Sequence, residues 1–185
     1  MDYESQIRRR VTATIKTVLT MKNPSIQRLK DLYMVEHYRN LQSIPPQCRI
    51  APKYSDKNAN GLTKCIVSWL KLSGWQAERI NTMGRPIDNT RVVTDCIGRK
   101  CRIGSVTWIP SGVTKGSVDI SATVASRSVK IEVKIGRDRQ SEAQKEYQRK
   151  VEAAGGIYII AKTFDEFLIW YDNIIIEEAR HGKGS

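Results

Sequence analysis

Residues 130–135, KIEVKI, alternate strictly, with Ile131, Val133 and Ile135 on one side of an extended chain and Lys130, Glu132 and Lys134 on the other. The stretch before them, SVDISATVASRSV, alternates in the same way, so residues 117–135 predict an antiparallel hairpin turning at Ser126 and Arg127. That turn pairs Val118 with Ile135, Ile120 with Val133, Ala122 with Ile131 and Val124 with Val129, which makes one face wholly apolar. The other face sets Asp119 across from Lys134 and Ser121 across from Glu132. A slip of one residue would mix the two faces, so the apolar face fixes the parity of the pairing.

Elsewhere the apolar spacing is helical. Residues 3–42 predict a helical hairpin: Ile7, Val11, Ile15 and Val18 form one stripe, a Pro-Ser signal opens the second helix, and SIPPQ stops it. Residues 57–73 place Leu62, Cys65, Ile66, Trp69 and Leu70 on one face and end at Gly74. A strand, WQAERIN, follows, and then a β-hairpin over 91–109 that turns near Gly98 with Arg99, Lys100 and Arg102 at its tip. In SEAQKEYQRKVEAAGG, Ser141 is the N-cap and Ala143, Tyr147, Val151 and Ala154 are the expected buried stripe. IYIIA reads as a short strand, and TFDEFLIWYDNI as a helix with a Thr-x-x-Glu capping box. The order predicts an α/β fold with a central mixed sheet and helices at 57–73, 141–154 and 163–178. It divides the chain into a helical N-terminal extension (1–54), a main domain (55–180) and a tail (181–185).

Length and composition narrow the class. A chain of 185 residues suits one domain with an appendage. No apolar run reaches the roughly 20 residues of a membrane span, and MDYESQIRRR lacks the apolar core of a signal peptide. The expectation is a cytoplasmic protein (host cytoplasm for a phage-encoded chain) with no membrane association and four reduced cysteines. The net charge is +12, and residues 1–115 carry all of it, with 20 Lys and Arg against 8 Asp and Glu. Such a local excess points to a polyanion, nucleic acid first, with solubility or an acidic protein as the alternatives. Candidate phosphate contacts are Arg99, Lys100, Arg102, Lys115, Arg137 and Arg139. Cys96 and Cys101 have four residues between them, a poor fit to the tight C-x₂-C zinc knuckle, and they read instead as a facing pair of thiols. His37 and His181 stand alone.

The hairpin carries the chemistry. Asp119 and Glu132 converge from neighbouring strands with Lys134 beside them, and two carboxylates suit a hard cation such as Mg²⁺ or Mn²⁺, with the Val133 carbonyl as a further oxygen. Lys134 is then placed to offset charge on a phosphate oxygen. A solvated sheet face with weak ion pairs yields the same residue pattern. Gln144 has two readings as well: it closes a Ser-x-x-Gln capping box, and its helix starts beside the Glu132–Lys134 pair.

GSVDI, IEVK and SEAQKEYQRKVEAAGGIYIIAKTFDEF together resemble the PD-(D/E)XK nuclease superfamily, and within it the virus-type replication-repair nuclease (VRR-NUC) domain, which is similar to Holliday-junction resolvases. The resemblance runs over residues 56–172 in element order and 116–168 in detail. It implies Asp119 and Glu132 as metal ligands, Lys134 as the catalytic lysine, Gln144 as the active-site glutamine and Tyr147 packed behind it. The position of the family's first-helix glutamate is Asn60, and Val118 stands where many members have Pro. The implied function is a Mg²⁺-dependent endonuclease on branched DNA, in repair or recombination; two symmetric nicks in a junction need two sites, which predicts a homodimer. The alternatives are an inactive DNA-binding or assembly protein on the same fold, and a restriction-type nuclease.

Overall fold

The computed structural model describes residues 23–41, 43–81 and 83–181. The fold is mixed α/β. Helix α1 (Pro24–His37) is capped by Asn23 and has Pro at its first turn. A short 3₁₀ turn, Pro46–Cys48, follows, then helix α2 (Ala59–Leu72), capped by Asn58. Strand β1 (Gln76–Arg79) leads into four short strands, β2 (Arg85–Asp88), β3 (Arg91–Thr94), β4 (Lys100–Ile103) and β5 (Val106–Ile109). The hairpin β6 (Ile120–Val124) and β7 (Arg127–Val133), helix α3 (Glu142–Ala153), strand β8 (Ile157–Ala161) and helix α4 (Phe164–His181) complete it. The main sheet has the order β1-β6-β7-β8, antiparallel except for the parallel β7–β8 pair that α3 connects.

One face of this sheet makes the core. Ile120, Ala122 and Val124 from β6 and Val129, Ile131 and Val133 from β7 pack with Leu62, Ile66 and Trp69 of α2 and Phe164, Phe167 and Leu168 of α4. The burial of Leu62, Cys65, Ile66, Trp69 and Leu70 is the helical face read from their spacing. Helix α1, which falls where the second helix of the helical hairpin is expected, joins this core through Ile26 and Leu29. Its Arg28 makes a two-pronged ion pair with Asp172 (2.7 and 2.9 Å) and lies over the Trp69 ring. The helix expected over Ile7, Val11, Ile15 and Val18 lies outside the described residues.

Several sequence expectations need correction. The β6–β7 hairpin turns at Ala125–Ser126, and Ile120 pairs with Ile131, Ala122 with Val129 and Val124 with Arg127. The register is therefore two residues from the one expected. A two-residue shift preserves parity, so every side chain keeps its face. The turn escaped notice because both residues take positive φ (49° and 60°) without the Gly or Asn that usually marks it. The hairpin expected over 91–109 belongs to a longer ribbon: β3 pairs with β4, and β5 pairs with β2, which lies before that range, in one continuous register. Cys101 faces Val93 across that ribbon and Cys96 lies in the tip, so the two cysteines do not face each other. On α3 the stripe of Ala143, Tyr147 and Val151 is half-buried and Ala154 is exposed. At α4, Thr163 accepts from the Glu166 N–H, but the Glu166 carboxylate accepts from Lys162, so the reciprocal box is displaced by one residue.

Candidate active site

The row of alternating charge that runs off the end of β7 is withdrawn from solvent, with Lys130 half-buried and Glu132 and Lys134 buried. Glu132 is only 2% exposed and Lys134 8%, which rules out an ordinary solvated sheet face. Cover comes from distant parts of the chain: the parallel β8 sets Tyr158 beside Lys130 and Ile160 beside Glu132, and the first turn of α3 lies over the same face. The charges thus collect at the carboxyl end of β7 beside a helix N-terminus, the usual place for a ligand site in an α/β sheet.

Carried one step past its last pair, the β6–β7 register sets Asp119 level with Glu132. The Asp119 carbonyl accepts from the Ile80 N–H at 2.8 Å, and its Oδ2 accepts from the Val133 N–H at 2.9 Å, so both neighbouring chain segments hold it. Glu132 Oε1 accepts from Lys134 Nζ at 3.1 Å and from the Gln144 amide. Glu132 Oε2 is buried with no hydrogen-bond partner. Gln144 performs both tasks read from its position. Its Oε1 accepts from the Ser141 N–H at 2.9 Å, closing the capping box, while its Nε2 donates to Glu132.

Electrostatically the centre is short of positive charge. Lys134 serves two carboxylates, Glu132 and Asp138 (3.3 Å), with Asp119 close by. Burial, and then the Asp119 carboxylate, push the Glu132 carboxyl up to about 7 against the pull of Lys134. Burial works against the Lys134 ammonium, but its bonds to Glu132 and Asp138 outweigh that and hold its pKa above the ordinary lysine value. To the side, Gln140 donates to Gln148 (2.9 Å) and to the Tyr158 hydroxyl (3.3 Å), and burial raises the phenol to about 12.

Asp119, Glu132, Val133, Lys134 and Gln144 are therefore brought together as read. Asn60 makes no hydrogen bond to them: its Oδ1 accepts from Arg79 Nη2 at 2.7 Å, and Arg79 lines, with Ile80, Asn81 and Met83, a cleft that borders Asp119. Among the described residues no three His, Cys, Asp or Glu side chains cluster as a metal site, so a cation here would rest on two carboxylates and main-chain oxygen. Arg139 lines a second cleft with Lys134, Asp138, Lys145 and Lys162. Arg99, Lys100 and Arg102 lie on the ribbon, and Lys115 and Arg137 in exposed loops. Sequence reading missed Lys145, Lys162 and Arg79, which reach the clefts only through folding. It also missed Asp138, whose signal was its place four residues after Lys134.

Gly116 was missed as well. It takes φ +83°, and a Cβ there would stand 2.3 Å from the Ala143 carbonyl oxygen and 2.9 Å from the Gln144 nitrogen. The chain leading to Asp119 thus rests directly on the first turn of α3. Gly116→Ala is expected to destabilise by about 2 kcal/mol or more, since positive φ alone costs about 1–2 kcal/mol. Gly136→Ala, at φ +60° with open space around it, should cost only the conformational part. Denaturant melts of the two variants check the difference, and equal losses would contradict the contact.

A second expectation concerns pH. Glu132 binds its proton more tightly folded than unfolded, so the metal-free protein is favoured most below pH 4.5 and loses that contribution as pH rises toward about 7. Glu132→Gln lacks this loss and should gain on the wild type by roughly 1–3 kcal/mol at pH 8 relative to pH 5. Thermal melts of both proteins in chelator should diverge by a few degrees. Parallel pH profiles would contradict the assigned environment.

Compared with known proteins, the chain matches no family model, and no curated protein matches it in sequence. Among the described residues no helix is long and apolar enough to cross a membrane.

Proposed function

We propose that the protein is a Mg²⁺-dependent endodeoxyribonuclease of the PD-(D/E)XK type, similar to VRR-NUC domains and acting on branched DNA. The observation that carries this reading is the Glu132 carboxylate: one oxygen is fixed by Lys134 and Gln144, while the other is buried and unpartnered, in a residue level with Asp119 on the neighbouring strand. An orphaned buried carboxylate oxygen is costly unless something positive meets it. Asp119, Glu132 Oε2 and the Val133 carbonyl would hold a divalent cation. Such a cation supplies Lewis acidity and charge neutralisation at a phosphodiester.

The chain's own groups do the rest. Gln144 locks Glu132 in place, so the carboxylate needs no reorganisation during the reaction. Lys134, kept protonated by its two carboxylates, donates toward the phosphate oxygen that gains charge. Water adds to phosphorus as the bond to the 3′ oxygen breaks, leaving a 5′-phosphate and a 3′-hydroxyl. The basic cleft of Arg139, Lys145 and Lys162 receives the phosphates beside the scission point.

A second reading, an inactive DNA-binding protein on the same fold, is favoured by Asn60, an amide already engaged by Arg79. Labelled four-way junction, flap, single-stranded and linear duplex DNA, each offered with Mg²⁺, separates the two. A two-fold homodimer should place paired nicks symmetrically on the junction and run as a dimer in light scattering. A monomer that cuts flaps would overturn the junction reading while keeping the nuclease. Binding without cutting under any divalent metal would favour the inactive form.

A further inference from the structure

We propose that the β2–β5 ribbon is an arm that enters the major groove of duplex DNA; this rests on the reading of the chain as a DNA-acting protein. The ribbon runs through eight residue pairs, spread over ten positions from Arg85–Ile109 to the tip at 95–99, a reach of roughly 30 Å, close to one turn of DNA. None of its residues is buried, and its strands pack chiefly on one another. A two-stranded ribbon with exposed apolar side chains such as Val92 (60%) and Trp108 (58%) is marginal in water by itself, so its form anticipates a partner.

Charge identifies the partner. The outer half holds Arg91, Arg99, Lys100 and Arg102 with Asp95 as its one carboxylate. Asp95 is consumed by the tip, where it accepts from the Ile97 and Arg99 N–H groups (3.0 and 2.7 Å) and pairs with the Arg99 side chain. Asp88 is likewise turned inward, onto the Thr90 N–H. Arg91, Lys100 and Arg102 have no acidic partner among the described residues. Lys100 and Arg102 share one face of the ribbon and Arg91 takes the other, as contact with both phosphate walls of a groove requires. The major groove admits a two-stranded ribbon, and thymine methyls offer apolar contact to Val92. Two arms laid tip against tip would instead oppose like charges.

The test is equilibrium binding without metal, so that cleavage plays no part. The substrates are a fluorescent duplex of about two helical turns and a single strand of the same length, each titrated across salt. In the combined variant Arg91→Ala, Lys100→Ala and Arg102→Ala, duplex affinity should fall by about 10²-fold and the salt slope by about 2 to 3 units, with single-strand binding nearly unchanged. A second variant, with residues 89–105 replaced by a tight turn and its fold checked by melting, should show the same selectivity. Unchanged duplex affinity, equal loss on duplex and single strand, or a wild type that does not bind duplex would overturn the arm. So would a shortened variant that dissociates from dimer to monomer while its duplex binding is retained. A wild type that never cleaves, yet loses duplex binding on these changes, leaves the arm standing and overturns the nuclease.

Discussion

Asp119→Asn and Glu132→Gln should each lower Mg²⁺-dependent cleavage by about 10³-fold or more while DNA binding holds or improves. Each change exchanges a carboxylate oxygen for an amide at the place where a cation would bind, and such a cation contributes several kcal/mol to the transition state. Each also removes a negative charge near the phosphate path, which favours association. Neither should unfold the protein. The Lys134–Asp138 pair survives Glu132→Gln, and the amide retains an oxygen that can accept from Lys134 and Gln144. Single-turnover cleavage measured beside equilibrium binding checks the split. Full activity in either variant would remove the residue from the site.

Lys134→Ala and Gln144→Glu form the second test, because they separate chemistry from helix capping. Lys134→Ala leaves Glu132 and Asp138 without their shared cation, and about 10³-fold of activity should go with it. Gln144→Glu preserves an oxygen for the Ser141 N–H, and a capping box accepts Glu as readily as Gln, so stability should change by less than about 1 kcal/mol. It removes the donor to Glu132 and sets another carboxylate against it, and activity should fall by about 10²-fold. Gln144→Ala should lose both stability and activity. Unchanged turnover in Gln144→Glu would leave Gln144 as a cap alone.

The site was legible where local rules decide it. Ser141 and Gln144 announce their helix start in four residues, and the parity of β6 and β7 followed from alternation, even though the pairing itself differed by two. Burial of the charge row was not legible, because alternation says which face a side chain takes and nothing about what covers that face. Tyr158 and Ile160, which provide the cover, lie beyond a whole helix in the chain. Gly116 was invisible for the same reason, since its constraint is the Ala143 carbonyl. Strand β2 of the ribbon escaped because Pro86 argues against a strand, although an edge position tolerates it.

The most direct test of the central claim is a single assay: purified protein and an end-labelled four-way junction, with product followed in Mg²⁺ and in chelator. The account predicts multiple turnovers in Mg²⁺, fragments that carry a 5′-phosphate, and no product in chelator. Tight binding with no fragment in Mg²⁺ or Mn²⁺, or equal cleavage in chelator, would contradict it.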